Sequence, residues 1–189
     1  FDPRSKGHQH NLAALLWTPD FEPMKLFLHP MAVAVNHIRR QNPDDDVHMV
    51  GLSGGGWSIT AYAALDPRVE KSVAVSATLP MCLRSVQPDR DLGDYEQFFA
   101  PFFRLTDYLE LYVLASAGDR RTHLQVIIPD DPCCFARPEA ADYAPVVAAR
   151  VSSLGLNGEF RFLLDEGHKD HTISDRTRAA LVDLINEHP

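Results

Sequence analysis

Ser53 lies in the run Gly51-Leu52-Ser53-Gly54-Gly55, a G-x-S-x-G pattern. A serine set between glycines at this spacing is what nucleophilic acyl chemistry needs, provided that a strand precedes it and a helix follows. Glycine and serine are common, so the five residues alone carry little weight and their context decides. The short apolar run from Val47 up to the motif suits a buried strand, and the residues after it, to about Leu65, suit a helix. A serine at the tip of so sharp a turn has a strained backbone, and the glycines at Gly51 and Gly55 are expected to prevent collisions across it. The turn would also put the Gly54 amide at a helix N-terminus, where it can donate to a developing oxyanion. The competing reading is a glycine-rich helix start in which Ser53 is only an N-cap.

A serine hydroxyl is a poor nucleophile at neutral pH. It needs a base, and the base needs an acid to hold its tautomer. In a parallel sheet, sites form outside the carboxyl ends of the strands, so both partners are sought just after later strands. Two such places exist, Pro129-Asp130-Asp131-Pro132 and Asp165-Glu166-Gly167-His168. Asp131 is favoured over Asp130 because Pro132 restricts it to an extended conformation. His168, directly after Gly167, is favoured over His171, which stands nearer the last helix and could cap that helix or contact the acid. Asp165 and Glu166 read as supporting loop groups. The expected catalytic set is Ser53, Asp131 and His168, with Gly54 as an oxyanion donor.

The elements that must position these groups follow from periodicity. Residues 1–22 read as mostly irregular. Residues 23–40 carry Leu26, Phe27, Met31, Val35 and Ile38 at helical spacing as a core face, with His29 and His37 on its polar edge and Pro30 bending the segment or opening a second helix. Asp66-Pro67 stops the helix after Ser53, and strands are expected over 69–79, 123–129 and 159–164. Helices are expected over 106–116, with Tyr108, Leu111, Tyr112 and Ala115 on one face, over 145–154, and over 174–187. Thr172 and Asp175 are spaced as a capping box for the last of these. Residues 80–105 are irregular and aromatic, either core or a lid over a site. The result is one α/β domain over 1–189, a mostly parallel sheet with flanking helices.

With Gly-Leu-Ser-Gly-Gly-Gly-Trp, Leu-Gly-Asp-Tyr-Glu-Gln, Asp-Pro-Cys-Cys-Phe and His-Lys-Asp-His-Thr-Ile-Ser in this order, the chain from about residue 23 to its end resembles the α/β-hydrolase superfamily, in a poorly described bacterial branch. The resemblance implies an acylation mechanism through Ser53, Asp131 and His168, and it identifies no substrate. Such folds generally have about eight strands, and only four are legible here, corresponding to the last four, from the elbow strand onward. The elbow strand is then an open edge for the first 22 residues, another copy of the chain or a missing polypeptide to cover. The second oxyanion donor has no matching strand; a residue around Ser5 to Gln9 is the substitute considered.

Composition narrows the rest. The 189 residues are 45% hydrophobic with a formal net charge of −8, enough for a core and without a basic stripe for nucleic acid. No apolar run approaches the roughly 18 residues of a membrane span. The chain starts at Phe1, so a processed, trimmed or partial form is expected. His8 and His10 lack further ligands nearby, and the three cysteines fit no zinc pattern, so no metal or other cofactor is expected. Cys82 bridging Cys133 or Cys134 is weighed against free buried thiols. The leading function is hydrolysis of a small carboxylic ester. A serine peptidase with the same residues, and a binding or assembly module on a hydrolase shell, are the alternatives.

Overall fold

Strand, helix and strand in succession place neighbouring strands parallel. In the computed structural model, which describes residues 9–84, 93–136 and 138–187, β1 (Val47–Leu52), β2 (Val69–Val75), β3 (Thr122–Ile127) and β4 (Glu159–Leu164) form a four-stranded sheet in the order β1-β2-β3-β4 with every pair parallel. Among the described residues β1 has no partner on its outer side. Strand β2 ends at Val75 rather than at 79, because Ser76 turns into a positive φ of 42°.

The helices are α1 (Lys25–Gln41), α2 (Gly54–Leu65), the short α3 (Ala100–Phe103), α4 (Tyr108–Ser116), α5 (Ala144–Ser153) and α6 (Asp175–Asn186). On one face of the sheet Trp57 and Ala61 of α2, Tyr108, Leu111 and Tyr112 of α4, and Val147 and Val151 of α5 form the main core with Ile127 and Phe160. On the other, Leu184, Leu181 and Ala180 of α6 cover Val73, Val75, Leu124 and Val126. Helix α1 is continuous through Pro30. Its core face is narrower than the periodicity suggests: Val35 is buried with Leu28, Met31 and Ala32 packed beside it, and Phe27 packs on Trp57, whereas Leu26 and Ile38 are exposed. The stripe that faces the core follows i, i+4 and i+7 from Leu28, and Leu26 and Ile38 fall off it.

At the end of the sheet away from Ser53, the buried Arg121 guanidinium donates to the carbonyls of Val69, Leu114, Ala117 and Ala63. It thereby satisfies groups left over at the C-terminal ends of α2 and α4. Residues Tyr95–Phe98 are pinned in a similar way. Gln97 is buried, donates to the Ala77 carbonyl at 2.9 Å and accepts from the Tyr108 hydroxyl at 2.7 Å, while Trp57 Nε1 donates to that hydroxyl at 3.1 Å.

His123 in β3 is fully buried, 2.8 Å from Ser72 Oγ through Nδ1, and stacked on Tyr112. Burial, with the nearby charge of Arg121, pushes its pKa down to about 3. An unfolded histidine titrates near 6.5, so between those values the unfolded chain binds a proton that the native chain refuses. The stability that neutral His123 provides is complete above pH ~6.5 and is lost as the pH falls toward about 3. Chemical denaturation is expected to show native stability about 2–3 kcal/mol lower at pH ~4.5 than at ~6.5. The His123→Gln variant should show most of that slope removed.

Candidate active site

The turn at Ser53 is built by close packing of backbone. Ser53 has φ 57° and ψ −127°, a combination that non-glycine residues reach only when the surroundings force it. Its amide donates to the Val75 carbonyl at 2.9 Å, and its carbonyl accepts from the Trp57 amide at 3.0 Å. The residue is thus fastened to β2 on one side and to α2 on the other. Its side chain makes no capping bond, so the simple N-cap reading does not hold.

Gly51 is required, since a Cβ there would stand 2.5 Å from the Gly55 carbonyl carbon. The expected collision at Gly55 is not found, because a Cβ at that position meets nothing within 4 Å. The tight position is Gly56, where a Cβ would approach Ala77 Cβ to 2.5 Å and the Gly51 oxygen to 2.8 Å. The reason is helical rotation: Gly56 faces the sheet and Gly55 faces outward. Gly56→Ala is therefore expected to cost about 1–3 kcal/mol through overpacking. Gly55→Ala should be neutral or stabilise by up to about 1 kcal/mol through helix propensity. Thermal denaturation of the two variants side by side checks this.

The acid and the histidines come from the ends of β3 and β4. Asp131 is fully buried. Its Oδ1 accepts from the amides of Cys133 at 2.8 Å and Cys134 at 3.1 Å, and its Oδ2 accepts from His171 Nδ1 at 2.7 Å. Burial pushes this carboxyl up, but the bonds from His171 and the two amides, with the Ser76 hydroxyl close by, outweigh it, and the net pKa lies below the ordinary value. A carboxylate can only accept, so His171 carries its proton on Nδ1 and leaves the Nε2 lone pair as a base. Asp130 is exposed and is not the carboxylate that meets a histidine.

His168 does not take the place expected for it beside Asp131. Its Nε2 stands 3.2 Å from Asp165 Oδ2, without the alignment of a hydrogen bond, and Asp131 pairs with His171 instead. The cause is local. The fully buried Asp165 takes Ser174 Oγ at 2.5 Å and Thr177 Oγ1 at 2.6 Å on its Oδ2, which ties the end of β4 to the start of α6. Residues 166–173 become a closed loop, and His171 rather than His168 reaches across to β3. Ser174 is also the N-cap of α6, accepting from the Thr177 amide at 3.0 Å, in place of the Thr172 cap read from spacing.

The cysteines also differ from expectation. Cys133 and Cys134 are bridged to each other, and Cys82 is an exposed free thiol. Among the described residues, Cys133, Cys134 and His171 are the one group of side chains gathered closely enough to serve as metal ligands. Of the positions from Ser5 to Gln9 considered for the second oxyanion donor, all but Gln9 lie outside the described residues, as do residues 85–92 of the aromatic segment.

No family model matches the sequence, and no curated protein matches it. Solved structures do match its fold. A glucuronoyl esterase from Teredinibacter turnerae aligns with a TM-score of 0.60 and 14% identity over 80% of this chain and 43% of its own. An esterase from Pyrococcus furiosus aligns with a TM-score of 0.55 and 12% identity over 89% of this chain and 63% of its own. An acetyl xylan esterase from Paenibacillus sp. gives 0.50 and 16% over 80% and 49%. The fold is therefore that of the α/β-hydrolases, and the chain spans 43 to 63% of the length of these three structures. No helix among the described residues is long and apolar enough to cross a membrane.

Proposed function

We propose that the chain hydrolyses a small carboxylic ester through Ser53, His171 and Asp131. The observation that carries this reading is the Asp131–His171 pair at the carboxyl edge of the sheet, the same edge at which Ser53 is held in its forced turn. His171 Nε2 takes the Ser53 proton, and Ser53 Oγ attacks the ester carbonyl. The Gly54 amide, at the start of the 12-residue α2, donates to the oxyanion. His171 then protonates the departing alcohol, and a water deprotonated by the same nitrogen releases the acid from Ser53. Buried Asp131 fixes the imidazole and stabilises its charged form. The esterase names of the structures sharing the fold make esters, rather than amides, the first substrates to try.

A fluorophosphonate probe reacts only with an activated serine. One equivalent is expected to attach to Ser53 in the native chain and none in Ser53→Ala, by intact-mass and peptide analysis, alongside turnover of p-nitrophenyl acetate or butyrate. A folded chain that takes no label would overturn the hydrolase reading. It would favour a binding or assembly module, for which the outer side of β1, unpaired among the described residues, is the place to look.

A further inference from the structure

The turn after Asp131 does more than hold the acid. Its two amides bind one carboxylate oxygen while His171 binds the other, so a single buried carboxylate brings both cysteines of the turn to the histidine. One ligand atom from each of Cys133, Cys134 and His171 lies within 4.8 Å of the others. A tetrahedral zinc ion with bonds of ~2.3 Å to sulfur and ~2.0 Å to nitrogen needs its ligand atoms roughly 3.5–3.8 Å apart. The imidazole nitrogen lies within 4.8 Å of both sulfurs, and the sulfurs, bonded to each other in the disulfide, must separate on reduction to reach that spacing. Two thiolates and an imidazole are a ligand set for a thiophilic cation, with a fourth position left to water. As a disulfide the two sulfurs cannot supply that charge.

We propose that reduction of the Cys133–Cys134 disulfide creates a binding site for a thiophilic divalent cation such as Zn²⁺, made by Cys133, Cys134 and His171, and that the bound ion withdraws His171 from the reaction. A dithiol reductant supplies the two electrons and two protons that turn the disulfide into two thiols, and is itself oxidised to a disulfide. The cation then displaces both thiol protons. An ion on Nε2 occupies the lone pair that serves as the base, and an ion on Nδ1 breaks the bond to Asp131. Either blocks turnover. Cation binding stands on the three ligands alone; its effect on turnover rests on the esterase reading.

The test uses the full chain with Cys82→Ser, which removes the exposed free thiol, reduced by a non-chelating phosphine. One equivalent of Zn²⁺ is expected to bind by titration calorimetry, and Co²⁺ should give a thiolate charge-transfer band. The oxidised chain and the Cys133→Ser and Cys134→Ser variants should each bind at least about 100-fold more weakly. Absence of the band in the reduced chain, whatever its fold, overturns the proposal. So does equal binding by the oxidised chain, or by a Cys133→Ser/Cys134→Ser double variant. Zn²⁺ should also suppress fluorophosphonate labelling of the reduced chain and leave the oxidised chain labelled. A chain that takes no label in either state but shows the Co²⁺ band would refute the esterase reading and leave the cation site standing.

Discussion

Replacing His171 with alanine is expected to lower kcat for ester hydrolysis by about 10³-fold or more, whereas His168→Ala should stay within about tenfold of the native rate. The difference follows from what each ring holds. His171 is fixed by a 2.7 Å bond from Nδ1 to a fully buried carboxylate, with its other nitrogen available as a base. His168 approaches Asp165 without an aligned bond, and that carboxylate is already bound by two hydroxyls that complete the loop without it. Steady-state kinetics on p-nitrophenyl butyrate, with thermal denaturation to confirm folding, separates the two. An inactive His168→Ala beside an active His171→Ala would return the base to the position favoured by sequence.

That contrast marks where the sequence is legible. The four strands and the helix after Ser53 are carried by local signals, apolar runs ended by Asp66-Pro67 and by glycines, and these lie close to where they are expected. The residue types of the proposed site are legible too, because the chemistry proposed for it calls for a serine, an acid and a histidine in places fixed by the sheet. Choosing between His168 and His171 is different. It depends on Asp165 clamping Ser174 and Thr177, a contact between the end of β4 and the start of α6 that shapes the loop and leaves no periodic trace. The glycine error has a similar origin. The pattern G-x-S-x-G draws attention to Gly55, but the direction of rotation of α2 presents Gly56 to Ala77. Nor does spacing reveal that Cys133 and Cys134 pair with each other.

Asp131→Asn is expected to reduce kcat by about 10⁴-fold while leaving the fold intact, and the hydrogen-bond directions explain both halves. The amides of Cys133 and Cys134 need an acceptor, so the oxygen of the new amide takes the place of Oδ1 and its NH₂ group is turned toward His171. A donor facing Nδ1 requires Nδ1 to accept, which moves the imidazole proton to Nε2 and leaves Ser53 without a base. Because the turn keeps both amide bonds, the melting temperature should change little. Asp165→Asn provides the opposite pattern. That carboxylate accepts from Ser174 and Thr177 and meets no reacting atom in the proposed mechanism. Its loss should lower the melting temperature through weaker anchoring of α6, with kcat per folded molecule held within about tenfold. A rate loss in Asp131→Asn no greater than in Asp165→Asn would mean that Asp131 merely shapes its turn, and that the charge behind the base comes from elsewhere.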